Sequence, residues 1–190
     1  MKQRILIVTS SPRVNGNSTL LALKAAEGVK SEGVEADIVH LRDLQISPCN
    51  ACDACRVTQD SKCVIEDDMQ ALYQKIKDAE GIIFATPVYW FNISAQMKLF
   101  IDRTYSIHGE DSWAFTGKKV GVLLTYADKD VFVSGGINAL RSFQDICNYV
   151  KANMIGMVYG SASKTGDVQT QGELMQQAYN LGRKIVKNIV

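Results

Sequence analysis

Four of the chain's five cysteines stand in one short segment, Cys49, Cys52, Cys55 and Cys63, spaced C-x2-C-x2-C-x7-C. Thiolates repeated at two-residue gaps on a tightly turning backbone can converge on one cluster, the pattern of ferredoxin-type iron-sulfur binding. Structural zinc more often takes two C-x2-C pairs separated by a longer excursion, so the tight triplet favours iron-sulfur over zinc. Free or redox-active loop thiols are the plainer alternative. Val64 rather than proline follows the last cysteine, a departure from the bacterial two-cluster ferredoxins. The fifth thiol, Cys147, falls on the apolar face of a predicted helix and is expected in the core.

A second segment, Ser10-Ser11-Pro12-Arg13-Val14-Asn15-Gly16-Asn17-Ser18-Thr19, lies between an apolar run and an amphipathic stretch. At a helix N-terminus, free backbone N–H groups and the positive end of the dipole bind anions. Ser11, Ser18 and Thr19 can add hydroxyl donors there, and Arg13 can neutralise or fork onto a phosphate. An ordinary turn and helix, capped by Asn17 or Ser18, would look similar. One such loop, with no second glycine fingerprint for an AMP half, suits FMN better than FAD.

A third segment presents aromatics: Pro87, Val88, Tyr89, Trp90, Phe91 and Asn92. Pro87 stiffens the turn, and three consecutive aromatic side chains cannot all enter one core. Some must face a ligand or another subunit, and large aromatics serve both uses. A flat isoalloxazine ring needs both stacking surface and backbone donors. Tyr126 is expected to border such a ring, with Asp128 and Lys129 tuning access and residues 160–171 closing over it. His40 and His108 are lone histidines for which surface or packing roles are expected, and no catalytic acid or base is assigned.

The elements that must position these groups are legible as patterns. Continuous apolar runs at residues 4–9 (RILIVT), 81–86 (GIIFAT), 120–125 (VGVLLT) and 154–159 (MIGMVY), with a weaker one at 34–40, read as strands buried on both faces. Between them, helical spacing links Leu21, Ala25 and Val29; Met69, Leu72, Ile76 and Ala79; Leu140, Phe143, Cys147 and Val150; and Leu174, Ala178, Leu181 and Ile185. Gly33 stops the first helix, and Glu66, Asp67 and Asp68 place negative charge at the start of the second. Alternation of strand and helix implies a doubly wound α/β domain with right-handed crossovers. Without G-x-G-x-x-G after the first strand, the flavodoxin-like five-stranded parallel order 2-1-3-4-5 is expected, as one domain over residues 1–190 carrying a cysteine-rich loop at 41–65. The loops at 10–17, 41–65, 87–93, 126–135 and 160–171 all follow strands, so all are expected on the carboxyl rim of the sheet.

Composition narrows the classes further. The chain has 190 residues, 46% of them hydrophobic, and a formal net charge of +1 with the charges interspersed. No nucleic-acid surface, membrane span or secretion signal is indicated, and a cytoplasmic location with reduced thiols is expected.

S-P-R-x-x-x-N-S-T after the first strand, P-V-Y-W after the third, and S-A-Q-x-K-x-F-I-D-R in the next helix resemble the NADPH-dependent FMN reductase family. With the cysteine motif between strands two and three, the chain resembles the iron-sulfur flavoproteins of that family. The resemblance spans nearly the whole chain. It implies FMN held by residues 11–19 and 87–91, a 4Fe-4S cluster on Cys49, Cys52, Cys55 and Cys63, and a homodimer or homotetramer. The expected function is an oxidoreductase that exchanges electrons between NAD(P)H or a protein donor such as ferredoxin, FMN and the cluster. The alternatives are a cluster-free flavin or quinone reductase, a noncatalytic FMN-binding electron carrier or redox sensor, and a zinc-stabilised binding module.

Overall fold

The computed structural model describes residues 4–57 and 62–189. In chain order the elements are β1 (Ile5–Thr9), α1 (Asn17–Ser31), β2 (Ala36–His40), α2 (Ala54–Val57), α3 (Met69–Asp78), β3 (Gly81–Tyr89), β4 (Asn92–Ile93), α4 (Ala95–Arg103), β5 (Lys119–Tyr126), α5 (Gly136–Tyr149), β6 (Asn153–Ser161) and α6 (Gly172–Lys187). Five strands pair in parallel in the order β2-β1-β3-β5-β6, and the two-residue β4 folds back antiparallel on β3. Without β4, this is the expected flavodoxin-like order.

Continuous apolar strands require cover on both faces, and the helices supply it in two layers. On one side α3, α4 and α5 pack Met69, Leu72, Ile76, Met97, Phe100 and Phe143 over the sheet. Phe84 from β3 stacks on Phe143 at 5.3 Å and meets Phe115 edge-on at 5.4 Å. On the other side α1 and α6 cover Ile5, Ile7, Ile83 and Leu123. These two helices touch through their backbones. A β-carbon on Gly28 would lie 2.0 Å from the Tyr179 carbonyl oxygen, and one on Gly182 would lie 2.0 Å from that of Ala25.

Two local readings are corrected. The 87–93 segment is not a plain loop: β3 runs on to Tyr89, where Val88 pairs with Ile93 and Tyr89 with Asn92. The reversal is made by Trp90 and Phe91, both at positive φ, 47° and 65°. Helix α1 is capped by Gly16, not by Asn17 or Ser18, because the Asn17 side chain is committed elsewhere. Gly33 does end α1, at φ 79° with its N–H on the Lys30 carbonyl. Cys147 is buried as expected, and burial pushes its thiol pKa up to about 11.

Candidate functional site

The loop after β1 forms a cradle. Ser11, Ser18 and Thr19 are almost wholly buried, yet the hydroxyls of Ser18 and Thr19 have no hydrogen-bond partner. Buried polar atoms are nearly always paired, so two orphans on the first turn of one helix mark a place built for an anion. Gly16 keeps the cradle open, since a β-carbon there would stand 2.1 Å from Ser11 Oγ and 3.2 Å from the Arg13 carbonyl oxygen. Its backbone is extended, at φ −62°, so room rather than conformational freedom is what requires glycine. The exposed Arg13 reaches over the mouth to Thr165 Oγ1 at 3.4 Å. These features fit the phosphate of FMN.

Asn17 does different work from its neighbours. Its amide donates to the carbonyls of Ala162 (3.2 Å) and Lys164 (2.8 Å) and accepts from the N–H groups of Gly166 (3.0 Å) and Val168 (3.4 Å). It thereby clasps the loop between β6 and α6 against the cradle, where sequence reading placed a direct contact with cofactor.

The aromatic segment lies on the same rim. Val88, Tyr89, Trp90 and Phe91 join Tyr126, Ala127, Asp128 and Ser134 in lining a cavity of about 420 Å³. Trp90 is 93% exposed, and Phe91 is fixed from below by its carbonyl, which accepts from Asn138 Nδ2 at 3.1 Å. Tyr126 is buried, and burial, together with the charges of Tyr159 and Asp130, raises its phenol pKa and keeps the proton in place as a donor. Pro87 sits within β3, in register with Thr125.

Cradle and cavity are tied together by residues that sequence reading missed. Ser94 Oγ donates to Ser10 Oγ at 2.8 Å, the Ser94 N–H donates to Thr86 Oγ1 at 3.2 Å, and Ser94 Oγ also caps α4 by accepting from Met97. All three hydroxyl residues are buried. A serine immediately before an amphipathic helix was the available signal.

The cysteine loop is anchored by Arg103, which is 1% exposed. Its Nη1 donates to the Ser47 carbonyl (2.9 Å) and to Asp67. Its Nη2 lies within reach of Asp67 Oδ1 (3.1 Å), Tyr73 Oη (3.3 Å), the Ile65 carbonyl (3.4 Å) and Cys63 Sγ (3.5 Å). Asp67 also accepts from the N–H groups of Ser47 and Met69, so it braces the loop as well as charging the start of α3. Burial opposes ionisation of Asp67, but the Arg103 hydrogen bonds prevail and its pKa falls. His108 meets the Cys55 carbonyl at 3.0 Å, a packing contact, and His40 meets Thr9 Oγ1 at 2.9 Å.

None of the four loop cysteines is in a disulfide. Ala51 and Asp53, at φ 53° and 55°, turn the backbone tightly between the first three cysteines. Burial raises the Cys55 pKa, and Cys63, Cys49 and Cys52 add to it as nearby charges. Among the described residues no group of three His, Cys, Asp or Glu side chains is placed to hold a metal ion. By type, four thiols on one loop are the soft donor set that an iron-sulfur cluster takes.

Part of this loop, around Cys49, lies away from the carboxyl rim where the whole of it was expected. Cys49, Ala51 and Asp53 line an apolar groove of about 750 Å³ with Tyr105, Trp113 and Tyr149. Tyr149 ends α5, and a helix that follows a parallel strand ends toward the amino edge of the sheet. The segment around Cys49 to Asp53 therefore reaches down the helical layer, while Gln70 ties the Cys63 carbonyl to the first turn of α3. Phe91 is held at Asn138 near the start of α5, whereas Tyr149, which shares the groove with Cys49, ends it. At 1.5 Å per residue, the two regions are separated by roughly 16 Å along that helix.

The chain is similar to known proteins along nearly its whole length. The chain is 29% identical to an iron-sulfur flavoprotein of Methanocaldococcus jannaschii over 97% of its own length and 96% of the relative's. It is 30% identical to an iron-sulfur flavoprotein of Archaeoglobus fulgidus over 95% of its length and 77% of that protein. The solved NAD(P)H:quinone oxidoreductase of Methanothermobacter marburgensis shares the fold, with a TM-score of 0.75 at 17% identity and coverage of 97% and 98%. No described helix is long and apolar enough to cross a membrane. The model of the NADPH-dependent FMN reductases matches residues 3–184, so the chain belongs to that family of oxidoreductases.

Proposed function

We propose that the protein is an FMN-dependent oxidoreductase that takes electron pairs from NAD(P)H and releases them singly through a 4Fe-4S cluster on Cys49, Cys52, Cys55 and Cys63. The observation that carries the flavin half is the pair of orphaned hydroxyls of Ser18 and Thr19 beside the room left by Gly16. Ser11, Arg13, Ser18 and Thr19 hold the phosphate, and Val88, Tyr89, Trp90, Phe91 and Tyr126 border the ring. Asn17 and Pro87 shape those two loops. Bound FMN supplies the conversion between hydride and single electrons. The side chains present bind, orient and shield, because face-to-face placement of two rings asks little of a protein acid or base.

Within one protomer the cysteine loop and the aromatic loop stand at opposite ends of α5. This separation supports a homo-oligomer, dimer or tetramer, in which a cluster serves the flavin of a neighbouring subunit. Trp90 and Phe132, 93% and 71% exposed, supply apolar surface for such an assembly. A cytoplasmic site of action accords with reduced thiols.

Anaerobic titration of the FMN-loaded protein with NADPH and with NADH tests the reading. Bleaching of the flavin band by a nicotinamide supports it. No bleaching by either, with bleaching by reduced ferredoxin, replaces it with a noncatalytic electron carrier.

A further inference from the structure

Arg103 is a full positive charge buried where the cysteine loop meets the helical layer. Burial opposes that charge, but the hydrogen bonds to Asp67 and Tyr73 outweigh it and hold the guanidinium pKa above its ordinary value. Its Nε is buried without a partner, while Nη2, with two hydrogens, faces four acceptors, one of them Cys63 Sγ at 3.5 Å. A guanidinium fixed in this way is not free to turn. Asp67 holds it from one side, and the Ser47 and Ile65 carbonyls fix it between the two ends of the cysteine loop.

Resting on the cluster reading above, we propose that Arg103 is the positioning residue of that centre. It orients Cys63 as a ligand, and its N–H···S hydrogen bond raises the reduction potential of the bound cluster. The physical basis is simple. One added electron makes the cluster more negative and its cysteine sulfurs better acceptors, so a donor already aimed at one sulfur stabilises the reduced form more than the oxidised form. Tyr73 is a neutral hydrogen-bond partner of the same sulfur, so Arg103 is its charged donor, and the guanidinium keeps its proton at every working pH.

The test uses anaerobically purified protein loaded with FMN, iron and sulfide, with both midpoint potentials read by spectroelectrochemical titration. Arg103→Lys keeps the charge but loses the fork. The double variant Arg103→Met/Asp67→Asn removes both partners, so that no unpaired charge is left buried and folding survives. Gln70→Ala is the structural control. Its amide ties the Cys63 and Ile65 carbonyls at 3.0 and 2.6 Å and touches no sulfur.

The expected result is a cluster potential made more negative in both Arg103 variants, by about tenfold in the oxidised-to-reduced ratio at fixed potential, or ~59 mV for one electron. The FMN potential stays in place, and Gln70→Ala lowers cluster loading without moving the potential. Should Arg103→Lys fail to assemble a cluster, the double variant decides. Unchanged cluster potentials, or an equal shift in Gln70→Ala, overturn the proposal. Wild-type protein without iron and sulfide would instead overturn the cluster reading on which it rests.

Discussion

Gly16 and Ser11 approach so closely that a β-carbon on the glycine would sit 2.1 Å from the serine hydroxyl oxygen. Nothing larger than glycine fits without moving the loop that frames the anion cradle. Gly16→Ala should therefore weaken FMN binding by about 10- to 100-fold, the equivalent of ~1–3 kcal/mol of overpacking. Calorimetric titration of apoprotein with FMN measures this. Gly172→Ala, at a position with nothing within 4 Å, should bind as wild type does.

Affinity and stability should separate at Ser18. Its hydroxyl is buried and unpaired, so Ser18→Ala removes an unsatisfied group and should leave the apoprotein unchanged or more stable by about 1 kcal/mol. The same substitution should cost FMN affinity. Thermal melting with and without FMN reads both effects, and a destabilised apoprotein with normal FMN binding would show that the hydroxyl serves the fold.

The sequence made the strands legible because they are buried on both faces, and the rim loops followed from their order. What it concealed were contacts between distant segments. Asn17 read as a cap or a cofactor contact, but its four partners lie between Ala162 and Val168, far along the chain. Arg103 ended a motif without an assigned role, although its three-residue spacing from Phe100 and Met97 put it on the buried face of α4. The course of the cysteine loop down the helical layer was hidden too, since Arg103–Asp67 and His108–Cys55 pair residues at least 36 positions apart.

Asn17→Ala should destabilise the protein by about 1–3 kcal/mol, because it removes four hydrogen bonds that tie down the 162–168 loop and leaves the buried Val168 N–H unpaired. Urea denaturation gives the magnitude. Limited proteolysis should show new cleavage within that loop while the β1–α1 cradle stays intact.

Stability should fall as the pH drops through the histidine range. Burial lowers the His40 pKa below its ordinary 6.5, with the Arg42 charge adding to this and Asp43 opposing it. A depressed folded pKa means that the stabilising contribution is present above 6.5 and is lost as pH falls through the folded value. Asp67, held below the ordinary carboxylate range, loses its contribution only in more acid solution. Urea midpoints between about pH 7.5 and 5.5 should therefore decline in the wild type and flatten in His40→Asn, which keeps a neutral partner for Thr9.

The central claim is that one chain carries a flavin on its rim and an iron-sulfur cluster on its cysteine loop. Anaerobically purified protein should be analysed for FMN, iron and sulfide, with absorption spectra before and after dithionite. The account predicts flavin bands over a broad bleachable shoulder, with about four iron and four sulfide per FMN. Flavin without iron would leave a cluster-free reductase, and a colourless protein containing zinc would contradict the account outright.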